Sequence, residues 1–137
     1  MSRILIVDDI RVNRLLLKEI LTKISIDCLE AKNGKEALEI LQNEKVDVVL
    51  MDIEMPVMNG VETTRYIRQN FPFPLKNIPV IALTAHNQDD FFEDFNNTGF
   101  SYLLTKPYSI ERIQKAINET LKQENSNPEI SSSNIKA

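Results

Sequence analysis

The chain has 137 residues and a formal net charge of -4, which suits one domain able to bury its own core and lacks the basic footprint of a nucleic-acid binder. Its single cysteine, Cys28, excludes an internal disulfide and fits a reducing cytoplasm; lying beside Ile26 and Leu29, it reads as a buried structural thiol. No apolar run approaches membrane-spanning length and the start lacks a signal-peptide pattern, so a cytoplasmic protein working without a membrane is expected.

In chain order, strand-like runs alternate with helix-like segments. Ile4-Leu5-Ile6-Val7 is a strand that runs into Asp8-Asp9. Asn13 to Thr22 is a helix with Leu16 and Ile20 on one face, and Ile26 to Glu30 a second strand. Asn33-Gly34 makes a turn before a helix over Lys35 to Gln42. Val46 to Met51 is the central strand, followed by Asp52. Pro56 and Asn59-Gly60 precede a helix over Val61 to Gln69, and the three prolines between Asn70 and Pro79 make that stretch a loop. Val80 to Leu83 is a strand followed by Thr84. A helix over Gln88 to Asn97 has Asp89 and Asp90 at its positive end and Gly99 as its stop. Tyr102 to Leu104 is the last strand, ahead of Lys106-Pro107. Ser109 caps a final helix carrying Ile110, Ile113, Ile117 and Leu121. Residues after about Gln123 are polar and Ser/Asn-rich. The domain is therefore expected over residues 1-123, with 124-137 a disordered tail.

Short, near-continuous apolar runs suit strands buried on both faces of a parallel sheet. Alternation with helices predicts repeated βαβ units, and five strands fit a doubly wound α/β sheet of order 2-1-3-4-5. Strands one and three then flank the topological switch point, where such sheets bind ligands. This converges Asp8, Asp9 and Asp52 at one rim, with Thr84 and Lys106 at neighbouring strand ends. Each acid alone reads as a turn former or cap, and Asp9 taken alone would cap the first helix. Together, crowded carboxylates repel unless a cation neutralises them. Their hard oxygens favour Mg²⁺, and an Asp side chain is a known covalent phosphoryl acceptor.

The stretches ILIVDD (4-9), NRLLL (13-17), AKNGKEAL (31-38), DVVLMDIEMPVMNG (47-60), PVIALTA (79-85) and LTKP (104-107) resemble the receiver domain of two-component response regulators over roughly residues 2 to 123. NRLLL and MDIEMPVMNG look most like receivers of hybrid-kinase phosphorelays. The resemblance implies a flavodoxin-like (βα)5 fold and a phosphoacceptor at Asp52. It further implies Mg²⁺ held by Asp8, Asp9, Asp52 and the Glu54 backbone carbonyl, and a cis Lys106-Pro107 bond. Thr84 and Lys106 would contact the phosphoryl group. The implied partners are a histidine kinase or histidine phosphotransfer protein as donor and a downstream effector protein. The implied role is signalling rather than turnover of a separate substrate.

One position departs from the family. The aromatic residue usual three positions before the Lys is Leu103 here, and Tyr102 sits one residue early on the opposite strand face. Activation is then expected to run through Thr84 with little aromatic reorientation. Glu54, two residues after Asp52, and His86, two after Thr84, border the same rim and are candidates to tune phosphoryl lifetime. His86 reads equally as an exposed loop residue, and Phe91, Phe92 and Phe95 as a helix-core face. Three other classes compete. A flavodoxin-like cofactor binder lacks support, since Gly34, Gly60 and Gly99 form no phosphate-cradling loop. A haloacid-dehalogenase-type phosphatase would need a second Asp where Glu54 stands. A degenerate, unphosphorylated receiver is disfavoured by the complete set of acids, Thr84 and Lys106.

Overall fold

The computed structural model describes residues 2-85 and 97-125. Its elements are β1 (Arg3–Val7), α1 (Arg11–Lys23), β2 (Asp27–Ala31), α2 (Gly34–Asn43), β3 (Val48–Asp52), α3 (Gly60–Asn70), a single 3-10 turn (Leu75–Asn77), β4 (Val80–Thr84), β5 (Tyr102–Thr105) and α4 (Ile110–Asn125). The strands form one five-stranded sheet of order β2-β1-β3-β4-β5, and every pairing is parallel. The helix expected over Gln88 to Asn97, with the three phenylalanines, lies almost wholly outside the described residues, as does His86.

The sheet is buried on both faces, and this explains the unbroken apolar runs: β3 and β4 are buried at every position. Ile4, Ile6, Val48, Leu50, Ile81 and Leu83 pack with Leu17, Ile20 and Leu21 of α1 and Ile113, Ala116 and Ile117 of α4. Leu5, Val7, Val49, Met51 and Val80 pack on the other face with Ala37 and Leu41 of α2 and Ile67 of α3. Alternation along each strand thus assigns one parity to each helical layer.

Several local expectations are corrected. The buried stripe of α1 is Leu17, Ile20 and Leu21, whereas Leu16 is exposed; two spacings fit a helical period, and the sheet selects one. Asn33 does not sit in a turn but is the N-cap of α2, its side chain accepting the Glu36 N–H; Asn59, which precedes α3 as expected, is likewise an N-cap accepting the Glu62 N–H and with Glu62 completes a capping box. Cys28 is half-buried at the edge of the α1/α4 core rather than fully enclosed, because β2 is the edge strand. Asp52 and Thr84 are the last paired residues of β3 and β4 rather than loop residues, opposite Leu83 and Thr105. The Ser109 cap is present, its Oγ accepting the Arg112 N–H at 3.1 Å. Gly99 adopts φ +97°, the left-handed geometry that suits a helix stop.

Candidate functional site

Parity decides which side chains meet. Ile4 and Ile6 face the α1/α4 layer, so alternation carries Asp8 to that side; Val48 and Leu50 do the same for Asp52, and Tyr102 and Leu104 for Lys106. Leu103 falls on the opposite parity, as expected from its spacing. Close approach of α3 fixes the floor. A Cβ on Gly60 would lie 2.3 Å from the Asp52 carbonyl oxygen, so only glycine lets the helix start there.

Asp8 is fully buried. Its Oδ1 accepts the Ile10 N–H at 2.9 Å, and the nearby Asn13 side chain favours its charged form, while Oδ2 has no hydrogen-bond partner. Asp9 is half-buried, and its Oδ1 likewise has none. It does not cap α1, whose N-cap is Ile10 without a side-chain bond. Asp52 is 4% exposed, and its carboxyl is pushed up to about 6, chiefly by burial and then by the charge of Asp8. Lys106 and the Glu54 backbone N–H act in the opposite direction. Burial raises the Asp8 carboxyl as well. Lys106 Nζ lies 3.9 Å from Asp52 Oδ1, an ion-pair distance too long for a hydrogen bond.

One ligand atom from each of Asp8, Asp9 and Asp52 lies within 4.8 Å of the others. Two of these acids present orphaned buried oxygens, and an orphaned acceptor is costly unless something outside the protein meets it. The donors are all hard carboxylate oxygens, so the site fits a small divalent cation such as Mg²⁺. Thr84 is 1% exposed, and its carbonyl accepts the Lys106 N–H at 2.8 Å. Glu54 is exposed beside the rim.

Four residues of this neighbourhood were not legible as site residues. Asn13 favours the charged form of Asp8. Arg14 donates from Nη1 to the Asp8 carbonyl at 2.8 Å and from Nε to Glu30 at 3.1 Å, tying β1 to the edge strand. Tyr108 packs against the α1/α4 core with its hydroxyl buried and without a partner among the described residues; burial and the charges of Asp52 and Asp8 push its phenol up. Arg112 contacts the chain on both sides of Lys106. Arg112 leaves a local sign in the sequence: a cation at the third helical position after the Ser109 cap, where a capping box would place an acid.

Residues 4–118 match the family model for the response regulator receiver domain. The chain belongs to that family. This receiver is 36% identical over 122 residues to the chemotaxis protein CheY of Thermotoga maritima, covering 88% of this chain and 98% of that protein. It is also 36% identical over 122 residues to hybrid signal transduction histidine kinase I of Dictyostelium discoideum, covering 85% of this chain but only 7% of the kinase. Among solved structures, the receiver domain of a sensor histidine kinase from Pseudomonas aeruginosa PAO1 has a TM-score of 0.80 at 26% identity, covering 88% of this chain and 98% of that one. That structure holds a magnesium ion coordinated in its active-site cleft. The receiver described here is a two-component signalling module of the phosphorelay kind, and its fold is the flavodoxin-like one expected from its strand order.

Proposed function

We propose that this receiver accepts a phosphoryl group on Asp52 from a phosphohistidine donor, and that Asp8, Asp9, Asp52 and the Glu54 carbonyl hold Mg²⁺ for the transfer. The reading rests on one observation: three carboxylates within 4.8 Å of one another, with the Lys106 ammonium 3.9 Å from one of them. In the transfer, the N–P bond of the donor breaks as an O–P bond forms to an Asp52 carboxylate oxygen. The metal, when bound, offsets carboxylate repulsion and the charge on the phosphoryl oxygens. Lys106 supplies a second positive charge on the same oxygens. The Glu54 N–H orients the Asp52 carboxylate, and Thr84 donates its hydroxyl to the transferred group. Asp52 must be ionised to attack, which its raised pKa allows at neutral pH.

The donor, a histidine kinase or histidine phosphotransfer protein, has an apolar landing place beside the acids. Ile10, the N-cap of α1, and Val12, Leu15 and Leu16 within it are 45-71% exposed, and Val57 across the rim is 83% exposed. Thr84 then passes the phosphorylation state to the surface that meets a downstream protein, with Leu103 in place of a reorienting aromatic ring. Glu54 and His86 set how long the acyl phosphate lasts. We place this activity in the cytoplasm, in keeping with the single thiol, and apart from nucleic acid, in keeping with the net charge of -4. Among the described residues no helix is long and apolar enough to cross a membrane.

The test is incubation with acetyl phosphate, with and without Mg²⁺, followed by intact-mass measurement. Wild type gains one phosphoryl group only with Mg²⁺, and Asp52→Asn gains none. Labelling of Asp52→Asn to the wild-type level would overturn the assignment.

A further inference from the structure

We propose that Arg112 is the positioning residue for Lys106, a strap that fixes the lysine backbone so that its ammonium meets the phosphoryl group; this rests on the phosphoacceptor reading above.

Arg112 occupies an unfavourable place. The Ser109 Oγ accepts the Arg112 N–H at 3.1 Å, and the Ser109 carbonyl accepts the Ile113 N–H at 3.0 Å, so Ser109 is the N-cap and Arg112 the third helical residue. That position favours Glu or Gln, which complete a capping box as Glu62 does on α3. A cation there opposes the helix dipole. A residue that breaks a local rule needs a compensating contact.

The compensating contacts all lie around one residue. Arg112 Nη1 donates to the Thr105 carbonyl at 2.8 Å and to the Pro107 carbonyl, and Nη2 donates to Thr105 Oγ1 at 3.1 Å. The guanidinium therefore grips the residue before Lys106 and the residue after it. Lys106 itself is tied on its other side, its N–H donating to the Thr84 carbonyl at 2.8 Å. The lysine backbone is thus held between β4 and α4. Its side chain is a flexible stem, 32% exposed, with Nζ at only ion-pair distance from Asp52. Where a mobile charge can reach depends on where its stem begins. Fixing the stem at both flanks narrows that range without contact between Arg112 and the reacting atoms.

The strap uses the planar fork of arginine, whose two nitrogens present their N–H groups to the two carbonyls and the hydroxyl from fixed positions, whereas an ammonium is a single point donor on a flexible stem and is not pre-organised to hold all three. Charge and geometry can therefore be separated. The experiment measures the Kd of beryllofluoride, a phosphoryl mimic, at saturating Mg²⁺, and the Kd of Mg²⁺ alone, by amide NMR. Wild type is compared with Arg112→Ala, Arg112→Lys, Lys106→Ala and the double variant Lys106→Ala/Arg112→Ala. Arg112→Ala and Arg112→Lys both weaken beryllofluoride by about tenfold, less than the roughly 10²- to 10³-fold typical when a charge-stabilising donor is removed outright. Mg²⁺ affinity stays within about twofold, because the three acids hang on β1 and β3. In the Lys106→Ala background, loss of Arg112 costs nothing more. Wild-type affinity in Arg112→Ala overturns the proposal. So does full retention in Arg112→Lys, which would make charge alone sufficient. Additive losses in the double variant would also overturn it. If wild type fails to bind beryllofluoride at all, the phosphoacceptor reading falls, a result visible before any Arg112 variant is made.

Discussion

Asp52→Asn should make the metal-free protein more stable at neutral pH, because the site trades folding energy for chemistry. The Asp52 carboxyl rises from 3.8 to about 6 on folding, driven by burial and by Asp8. A group whose folded pKa is raised favours the folded state most when protonated. Its contribution is complete below pH 4 and is lost as pH climbs through 6. At about 1.4 kcal/mol per unit, the rise corresponds to roughly 3 kcal/mol withheld from the wild type at pH 7. Asn removes the titration and relieves Asp8 of its neighbour. For a domain of this size that amounts to a Tm higher by about 10 °C. The assay is calorimetry in EDTA from pH 4.5 to 8 for both proteins. The gap should open between pH 4 and 6 and stay level above. Adding Mg²⁺ should close it, since a ligand at 100 times its Kd contributes about 2.7 kcal/mol to the wild type. An Asp52→Asn protein that melts below the wild type at pH 7.5 in EDTA, or a gap independent of pH, would refute the account.

The remaining expectations concern the rim and its floor. Asp9→Asn should weaken Mg²⁺-induced thermal stabilisation, and equal stabilisation of both proteins would remove Asp9 from the metal site. Gly60→Ala should cost about 2-3 kcal/mol in urea unfolding, since its Cβ would press on backbone atoms of Asp52 and Ile53 that cannot yield; unchanged stability would refute the close approach. Phosphate loss from Asp52 should differ among wild type, Glu54→Gln and His86→Ala and vary with pH near the histidine value of about 6.5. Superimposable decay curves would leave neither residue a role in lifetime.

What the sequence disclosed and what it hid follow from the range of the forces involved. Strands buried on both faces have no polar positions, so β1, β3 and β4 stand out as runs, and a polar residue ending such a run is conspicuous. Asp8, Asp52 and Thr84 are visible for that reason, and Lys106 because it follows the shorter apolar run of β5. The stripe of α1 was misplaced because Leu15, Leu16 and Leu17 are all leucine, and only the sheet decides which of them it covers. Arg14 and Glu30 meet across 16 positions of sequence, and Arg68 reaches the Gly99 carbonyl across 31. No local pattern encodes such pairs. Asn33-Gly34 is ambiguous in a different way, since the same dipeptide serves a tight turn and an N-cap.

The leucine run of α1 has a consequence for how such a module diversifies. One side of the helix, Leu17, Ile20 and Leu21, belongs to the core and is closed to change. The other side, with Val12, Leu15 and Leu16, lies open next to the acids. Substitutions there alter neither the packing nor the carboxylates. If the donor docks on that face as proposed, a duplicated copy of this chain can acquire a new correspondent, and lose its old one, while its chemistry and its fold stay as they were. On the docking surface proposed above, the choice of partner and the packing of the core fall on different sides of a single helix.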